Sequence, residues 1–592
     1  MKKISRKDLQ GSTQWYMLCQ MMSLEHALAP LMLLSAGLGV VMPLCAVVYM
    51  EKIVDGLIAG ENAGAIIAYA GIMTALSILA ALLSRLTGGA LHSHMISFAA
   101  KLERQIIRLN TDVEYSKLDD SDFLKSSDRA LRPMRNQGAV NGYINSMSSL
   151  LRAMMLMGSL GYIIATCSMT VIVVMLAAAI AIRMLQNRKV KVDLRCEDML
   201  ADIDRRYEYY DKLICDMSFG KEVRMYDMSG YIMGKIRADN DRTLGGVFGR
   251  LYAGYGRIDG TCSLIKHLEY VAVCAILVWS VVSGATSIGA YTARMAACIS
   301  FSRALNLLIE SYFEYKKQVG HLNGYREHCC LCDAHPCQAP AEHNNGNVLP
   351  IELDQVTFQY ANTEKAALAG VSACFERGKS YAIVGENGAG KSTLIKLLTG
   401  YYTPSGGAIT MGGNLAGHGL INTALPMFQQ VNMYPASIRD NIQLDVTRSD
   451  AFYENSITAA GLENVLAAHG DHAMLIPEFS PEAIELSGGE AQRVALARTI
   501  FAGGAMLIMD EPTSAMDPRM EMRIYSQLIQ QSGSDYDCTI IVSHRMACCR
   551  FVDVVLVMKD GRVIAQGTHD ELLDTCPEYA AMWRTQARRY QL

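Results

Sequence analysis

The chain has 592 residues, enough for several domains, and it is 51% hydrophobic and only 19% charged. That balance is too apolar for an ordinary soluble protein of this size. The net charge of −4 offers no concentrated basic face, so we expect no nucleic-acid partner. The 17 cysteines lack the regular spacing of a secreted disulfide framework, so we expect reduced or lipid-buried thiols.

The N-terminal segment, residues 1–23, is basic but has no long apolar core followed by a small-residue cleavage site. It is therefore not typical of a cleaved signal peptide, and we expect a cytoplasmic segment.

The apolar excess lies in residues 24–326, which we interpret as a transmembrane domain. The stretches 26–50 and 62–84 have no Asp, Glu, Lys or Arg, and each is long enough to cross ~30 Å of hydrocarbon. Polar breaks or glycines separate the later apolar stretches. The six expected spans cover about 26–50, 62–84, 143–165, 169–182, 260–283 and 288–309.

The long connections after the second and fourth spans are rich in Lys and Arg, whereas the short breaks near 166–168 and 284–288 have none. The positive-inside rule then places the N-terminus and both long connections in the cytoplasm. Mixed charged and apolar residues at helical spacing, as in 98–113 and 197–214, predict helices that extend past the bilayer. We expect their tips, near 119–130 and 225–234, to contact the soluble domain.

Charged residues inside the expected spans are costly and usually face a cavity or a partner. Lys266 and Glu269 are three residues apart, so they either pair with each other or serve a substrate. Arg294 and Arg303 have no obvious local partner, which motivates the hypothesis of a polar pathway for an anionic group. Arg152 interrupts the third span.

Residues 327–349 are interpreted as a linker rich in thiols and imidazoles. A soft-metal site is conceivable, but a single Cys-x-x-Cys without a second pair favours an ordinary linker. The cysteines concerned are Cys329, Cys330, Cys332 and Cys337.

A phosphate-binding loop follows the apolar run 381–384 and precedes an apolar helical pattern. The sequence Gly-Glu-Asn-Gly-Ala-Gly-Lys-Ser-Thr fits G-x-x-x-x-G-K-[ST], whose backbone N–H groups cradle phosphates at a helix N-terminus. Lys391 is expected to reach the β and γ phosphates, and Ser392 to bind Mg²⁺. The residues expected to bind the nucleotide are Gly385, Asn387, Gly388, Gly390, Lys391, Ser392 and Thr393.

Two later strands end in residues suited to hydrolysis. The apolar run 507–509 ends in Asp510 and Glu511, so Asp510 is expected to hold Mg²⁺ and Glu511 to orient and deprotonate the attacking water. A second buried strand, 539–542, leads to His544, where an imidazole could contact a γ-phosphate. Between the loop and these strands, Ser487, Gly488 and Gly489 stand at the start of a predicted helix.

These motifs together with Gln429, Leu-Ser-Gly-Gly-Glu at 486–490 and Ser-Ala-Met-Asp at 514–517 resemble the nucleotide-binding domain of ATP-binding cassette proteins. With six spans ahead of it, the chain resembles the exporter-fold half-transporters. The resemblance implies an all-α six-helix transmembrane domain followed by an α/β P-loop NTPase domain at 350–592. The signature ends in Glu490 where glutamine is common.

The resemblance also implies roles for individual residues. Tyr360 is the expected adenine-stacking aromatic, Gln429 joins Mg²⁺ and water to the membrane part, and His544 contacts the γ-phosphate. Ser487 and Gly489, with Gly488 and Asp517, are expected at ATP held by a second subunit. The expected Mg²⁺ ligands are Ser392, Gln429 and Asp510.

Three functions remain open at this point. The first is ATP-driven export of a peptide, lipid or amphipathic compound, and the second is import, for example of a metal chelate, on the same fold. The third, a soluble ATPase with the same cassette, is disfavoured by the six spans. We expect a second copy or a related half-transporter as partner, in a cell membrane that we expect to be the bacterial plasma membrane.

Overall fold

The computed structural model describes residues 12–590 apart from several short gaps, and its contacts divide the chain into two compact units. One unit is Met1–Thr111 with Asp122–Ala334, and the other is Asp112–Ser121 with His335–Leu592. The gaps are 136–137, 166–168, 216–218, 242–248, 338–348, 361–362, 417–419, 421–422, 430, 445, 478, 513–517, 531–535 and 544.

The N-terminal part of the chain is helical, as the apolar stretches predict. Its helices are α1 (Thr13–Leu24), α2 (Leu28–Ala59), α3 (Ala63–Thr111), α4 (Tyr115–Leu118), α5 (Ser121–Arg135), α6 (Ala139–Ala165), α7 (Met169–Cys215), α8 (Gly220–Met225), α9 (Ser229–Asn240), α10 (Gly249–Val282) and α11 (Ile288–Ala334). The predicted helical extensions after the second and fourth spans are confirmed by the lengths of α3 and α7.

Four of the described helical segments are long and apolar enough to cross a membrane. They are Leu28–Ala59, Ala63–Thr111, Met169–Arg188 and Tyr252–Val282. The predicted third and sixth spans also lie in helices, α6 and α11, but these carry polar and charged residues among the apolar ones. Six crossings therefore remain a prediction.

Two apolar clusters hold these helices together. Tyr16, Phe98, Tyr143 and Tyr325 are buried in a cluster that joins α1, α3, α6 and α11. A second cluster around Phe301 joins α2, α6, α7, α10 and α11. Helices α6 and α11 contribute to both clusters.

The predicted linker does not begin at residue 327, because α11 continues to Ala334. The cysteines of the Cys-x-x-Cys are therefore helical and buried. Burial raises the pKa of Cys329 and of Cys332 to about 12, and Cys332 Sγ lies 3.6 Å from His328 Nε2. No group of three potential metal ligands occurs in the part of the chain that the structure describes.

The second unit is built on two sheets. The strands are β1 (Ile351–Phe358), β2 (Leu368–Phe375), β3 (Lys379–Gly385), β4 (Gly406–Met411), β5 (Asn414–Leu415), β6 (Ala424–Met427), β7 (Met506–Asp510), β8 (Cys538–Val542), β9 (Val554–Lys559) and β10 (Arg562–Gly567). The smaller sheet has the order β2-β1-β4-β5 and is antiparallel.

The larger sheet has the order β10-β9-β3-β8-β7-β6. Strands β9, β3, β8, β7 and β6 run parallel, and β10 is the antiparallel edge. The central strands β3, β7 and β8 are almost wholly buried, as parallel strands covered on both faces must be. The α/β class predicted for this part of the chain is confirmed.

Helices cover this sheet and complete the unit. They are α12 (Lys391–Leu398), α13 (Ile438–Gln443), α14 (Asp450–Ala460), α15 (Glu463–His469), α16 (Gly488–Ala502), α17 (Pro518–Gln530), α18 (His569–Thr575) and α19 (Pro577–Tyr590). A short 3₁₀ helix, Met546–Arg550, follows β8.

A buried asparagine holds the start of α13 to the loop before it. Asn441 is fully buried, and its Nδ2 donates to the carbonyl oxygens of Tyr434 at 3.0 Å and Ser437 at 3.0 Å. Its Oδ1 accepts from the Tyr434 N–H at 2.9 Å. The amide thus pairs with the Tyr434 N–H and adds a second donor to the Tyr434 and Ser437 carbonyl oxygens, which also accept the N–H groups of Ala436 and Asn441.

We expect Asn441→Leu to destabilise this unit because it removes the partner of the Tyr434 N–H and two further hydrogen bonds at nearly constant side-chain volume. The expected loss in the free energy of unfolding is about 1–3 kcal/mol. Each kcal/mol lowers the unfolding midpoint of a unit of this size by about 2–4 °C. Thermal unfolding of the purified chain in detergent measures it. Asn464→Leu, at an exposed position of α15, is the matched control. Equal midpoints for the two variants would contradict the role of the buried amide.

Candidate active site

The predicted site residues converge at one edge of the parallel sheet. Ile383 of β3 lies opposite Val542 of β8, and Val542 lies opposite Asp510 of β7. Met427 of β6 lies opposite Met509 of β7. Because parallel strands end at the same edge, the segments that follow these residues meet there.

The loop between β3 and α12 has the backbone that its glycines predict. Gly388 and Gly390 have φ of 81° and 99°, in the region that favours glycine. A Cβ on Gly390 would come within 2.8 Å of the Ala367 carbonyl oxygen, and one on Gly385 within 2.3 Å of that of Met558. Only glycine fits these two positions, whereas Gly388 has open space beside it.

Lys391 begins α12 and points its ammonium group back into the loop. Its Nζ donates to the carbonyl oxygens of Gly385 at 2.8 Å and Glu386 at 3.0 Å. Burial lowers the pKa of Lys391, and the nearby Glu511 and Asp510 carboxylates act in the opposite direction. The cation therefore lies at a helix N-terminus inside a loop of backbone N–H groups, which suits an anion.

Asp510 ends β7 beside this loop. Burial, aided by the neighbouring charge of Glu511, raises the pKa of Asp510 to about 6, while Lys391 and a hydrogen bond from Ser392 oppose that shift. A carboxylate and a hydroxyl in contact are the oxygen ligands that Mg²⁺ prefers. The predicted ligands Asp510 and Ser392 are thus brought together and fit a magnesium ion.

Glu511 has a backbone conformation unusual for its residue type. Its φ is 52°, and its N–H donates to the Val542 carbonyl oxygen at 2.9 Å. The side chain accepts from Gln429, with 2.9 Å between Gln429 Nε2 and Glu511 Oε2. This bond joins two residues that are distant in sequence, and the motifs alone did not predict it. Local strain of this kind is often found at active sites.

Tyr360 follows β1 and lies against α12. Its hydroxyl is 3.1 Å from Thr393 Oγ1, and its ring packs edge to face on Phe358 and Tyr402. The ring is half-buried and adjacent to the phosphate-binding helix. Stacking of this ring on an adenine stays a prediction.

Ser487 caps the N-terminus of α16. Its hydroxyl donates to Glu490 Oε2 at 2.7 Å and accepts from the Glu490 N–H at 3.4 Å, which forms a capping box. Gly488 is exposed and Gly489 is half-buried. Hydrogen bonds from Ser487 hold the pKa of Glu490 below its usual range. Among the described residues, no hydrogen bond joins this helix start to the loop before α12.

Two predicted residues cannot be compared with the structure. His544 and Asp517 lie outside the described residues, and their roles remain predictions.

A short segment from the helical half, Asp112–Ser121, belongs to this unit. Asp119 Oδ2 accepts from Tyr402 at 2.5 Å and from Lys396 at 3.0 Å, and the Tyr115 ring stacks on Tyr401. Burial raises the pKa of Asp119, but the bonds from Tyr402 and Lys396 outweigh it and hold the pKa below its usual range. The predicted contact of the first tip is confirmed at Asp119, and the second tip stays a prediction.

The predicted intramembrane charges separate into two places. Lys266, Glu269 and Arg303 line one cavity, whereas Arg294 does not. Glu269 is hydrogen bonded by Ser302 and interacts electrostatically with Lys266, but in the described part of the chain the two form no ion pair within 4 Å, so the expected pairing is not a direct contact. Arg152 lines a smaller polar cavity of about 260 Å³.

Sequence reasoning missed Asn306 and Glu310, which line the same cavity. They follow Arg303 by three and seven positions on α11. That spacing puts all three on one face of the helix, and it was a signal that could have found them.

We expect Asp510→Asn to raise the unfolding midpoint of the nucleotide-free chain at pH 8. A carboxyl pKa raised by folding means that the ionised form opposes folding. That penalty is fully present above about pH 6 and is lost as the pH falls from there toward the unfolded value of about 4. Thermal unfolding at pH 8 and pH 4.5 measures the difference. Glu364→Gln, in an exposed loop, is the control. A variant no more stable than wild type at pH 8 would contradict the shift.

Comparisons with known proteins, by sequence and by structure, both find similarity to ABC transporters. Residues 368–514 match the ABC transporter family. The chain is 25% identical over 522 residues to the nisin transport ATP-binding protein NisT of Lactococcus lactis subsp. lactis, which covers 81% of each protein. It is 34% identical over 248 residues to the mycobactin import ATP-binding/permease protein IrtB of Mycobacterium bovis, over 41% of this chain and 42% of that relative.

The fold is also that of a solved structure, a bacterial Atm1-family ABC exporter with ATP bound. The TM-score is 0.77 at 22% identity, covering 95% of this chain and all of that one. At this identity the likeness establishes the fold. With the ATP-binding domain at 368–514 and apolar helices ahead of it, the chain is a membrane protein of the ABC transporter family, with the half-transporter fold of the exporters.

Proposed function

We propose that this chain is an ATP-driven exporter of a peptide, a lipid or an amphipathic small molecule. The observation that carries the proposal is the match to the nisin transporter over 522 residues, because it extends through both the helical and the nucleotide-binding halves. The half-buried carboxylate pair at the end of β7 supports ATP hydrolysis as the energy source.

In this proposal the loop between β3 and α12 binds the ATP phosphates. Lys391 exchanges its bonds to the loop carbonyls for the β and γ phosphates, and the backbone N–H groups from Asn387 to Thr393 complete the cradle. Tyr360 stacks on the adenine from its position beside Thr393. The open side of Gly388 leaves room for the phosphates.

Ser392, Asp510 and Gln429 would hold a Mg²⁺ ion, since all three offer oxygen ligands. When bound, the ion supplies positive charge against the phosphate oxygens. Glu511 takes the proton from the attacking water, and its bond from Gln429 fixes the carboxylate in position. His544 contacts the γ-phosphate from the segment after β8.

Transport requires a second subunit, either a copy of this chain or a related half-transporter. The exposed start of α16, with Ser487, Gly488 and Gly489, closes over ATP bound to the partner, and Asp517 contributes to the same contact. ATP then favours the closed pair, and hydrolysis reopens it. An almost complete shift needs about 5.5 kcal/mol of differential binding, which two shared nucleotides can supply.

The protein acts in a cell membrane, which we assign to the bacterial plasma membrane, with its N-terminus and nucleotide-binding unit in the cytoplasm. Lys and Arg in the connections after the second and fourth spans support that orientation.

Import of a metal chelate is the second candidate. The 34% identity to a mycobactin importer supports it, although that match covers 42% of the relative. Inside-out vesicles distinguish the two directions: an exporter accumulates cargo inside them when ATP is added outside, and an importer does not.

We expect Glu511→Gln to keep ATP affinity and to lower the hydrolysis rate by about 100-fold or more, because the water loses its base. Two ATP molecules should remain trapped per dimer after gel filtration. Hydrolysis is measured by phosphate release in nanodiscs. Glu376→Gln, at an exposed surface carboxylate, is the matched control. Hydrolysis at the wild-type rate in Glu511→Gln would contradict the role of Glu511, and a chain that hydrolyses ATP as a monomer would contradict the shared site.

A further inference from the structure

A cavity of about 600 Å³ lies among helices α7, α10 and α11, within the helical unit. Its volume is in the range of cavities that bind small molecules. Met175, Val273, Ile299 and Leu307 give it apolar walls. An apolar cavity of this size suits the side chains of an amphipathic ligand.

The same cavity contains two cations and two carboxylates. Lys266 and Glu269 come from α10, and Arg303 and Glu310 come from α11. By the helical rise, Arg303 lies roughly 22 Å from the start of α11, within the ~30 Å thickness of the hydrocarbon. Ionisable side chains at that depth are costly, and they commonly line a substrate pathway.

These charges do not neutralise one another through direct contact. Neither Lys266 nor Arg303 forms an ion pair within 4 Å in the described part of the chain. Glu269 is only 8% exposed, and the contact it makes with Ser302 is to a neutral hydroxyl. The charge of Lys266 acts on Glu269 only from beyond ion-pair distance, so the buried carboxylate is incompletely compensated. The cavity therefore retains binding capacity for both signs of charge.

Asn306 provides a second, independent sign of a ligand. Its Nδ2 donates to the Ser302 carbonyl oxygen at 2.9 Å, but its Oδ1 is buried in this cavity wall without a hydrogen-bond partner. Buried side-chain acceptors without partners are rare in native proteins. An N–H donor on a ligand would satisfy this oxygen.

We propose that this cavity binds a zwitterionic amphipath, with its ammonium group at Glu269 and its carboxylate at Lys266 and Arg303. The inference rests on the proposed transport function and names its substrate class. A simple anion is disfavoured because Glu269 and Glu310 would repel it. A simple cation is disfavoured by Lys266 and Arg303. A peptide with free ends has both charges, apolar side chains and amide N–H groups for Asn306.

The test uses the whole chain in nanodiscs of phosphatidylglycerol, which contain no zwitterionic lipid. The probes are the tritiated tetrapeptide Leu-Phe-Phe-Leu with free ends, its N-acetylated form, its C-amidated form and the doubly blocked form. We expect the free peptide to bind about tenfold more tightly than either singly blocked form. It should also stimulate ATP hydrolysis more than either.

The variants assign each end of the peptide to one side of the cavity. Arg303→Gln should abolish the preference for the free carboxylate and keep the preference for the free amine, and Glu269→Gln should do the reverse. Lys266→Gln, at an exposed side chain, replaces Arg303→Gln if that variant fails to fold, and Glu310→Gln, at an exposed carboxylate of the same cavity, replaces Glu269→Gln. Arg294→Gln is the matched control, since Arg294 is on the same helix but outside the cavity, and it should leave both preferences intact.

A third arm adds phosphatidylethanolamine to the nanodiscs, because its head group also joins an ammonium to an anionic group. Competition by this lipid with the free peptide would identify a lipid as the source of the same chemistry. Equal binding of all four peptides without lipid competition, or no binding by any probe, would overturn the proposal.

The outcomes separate this proposal from the proposed function. ATP-driven transport of another cargo, unaffected by Glu269→Gln and Arg303→Gln, would overturn the cavity assignment and leave the transporter intact. Charge-selective peptide binding by a chain that hydrolyses no ATP would support the cavity and contradict ATP-driven export.

Discussion

The parallel register of β3, β8, β7 and β6 is the constraint on which the candidate site depends. It ends four strands at one edge, so Gly385, Glu511 and Gln429 meet although they are far apart in sequence. Backbone hydrogen bonds and buried apolar side chains fix that register, and a shift by one residue would turn Asp510 to the other face of the sheet. The chemistry of the site is therefore a consequence of how the core of the sheet packs.

The sequence was most informative where function requires local patterns. The loop from Gly385 to Thr393 could be predicted because phosphate binding needs a strand, glycines and a helix start in immediate succession. The left-handed backbone of Glu511 and its bond to Gln429 could not, because both arise from contacts between distant segments. The cavity charges were found singly, and only the packing of α10 against α11 brings Lys266 and Arg303 together. The helical end of α11 was missed because its cysteines suggested a linker.

Within the nucleotide-binding unit, aromatic contacts join the segment Asp112–Ser121 to the site. Asp119 accepts a hydrogen bond from Tyr402, whose ring packs edge to face on Tyr360. The Tyr360 hydroxyl is in turn hydrogen bonded to Thr393. This segment follows α3 directly in the chain.

A double-mutant cycle on ATP hydrolysis tests most directly whether one sheet edge assembles a single hydrolytic site. If Gln429 acts by holding Glu511, Gln429→Ala should slow hydrolysis about tenfold or more in the wild-type background and add almost nothing to Glu511→Gln. Losses that multiply in the double variant would mean that the two residues act independently, which would contradict the account.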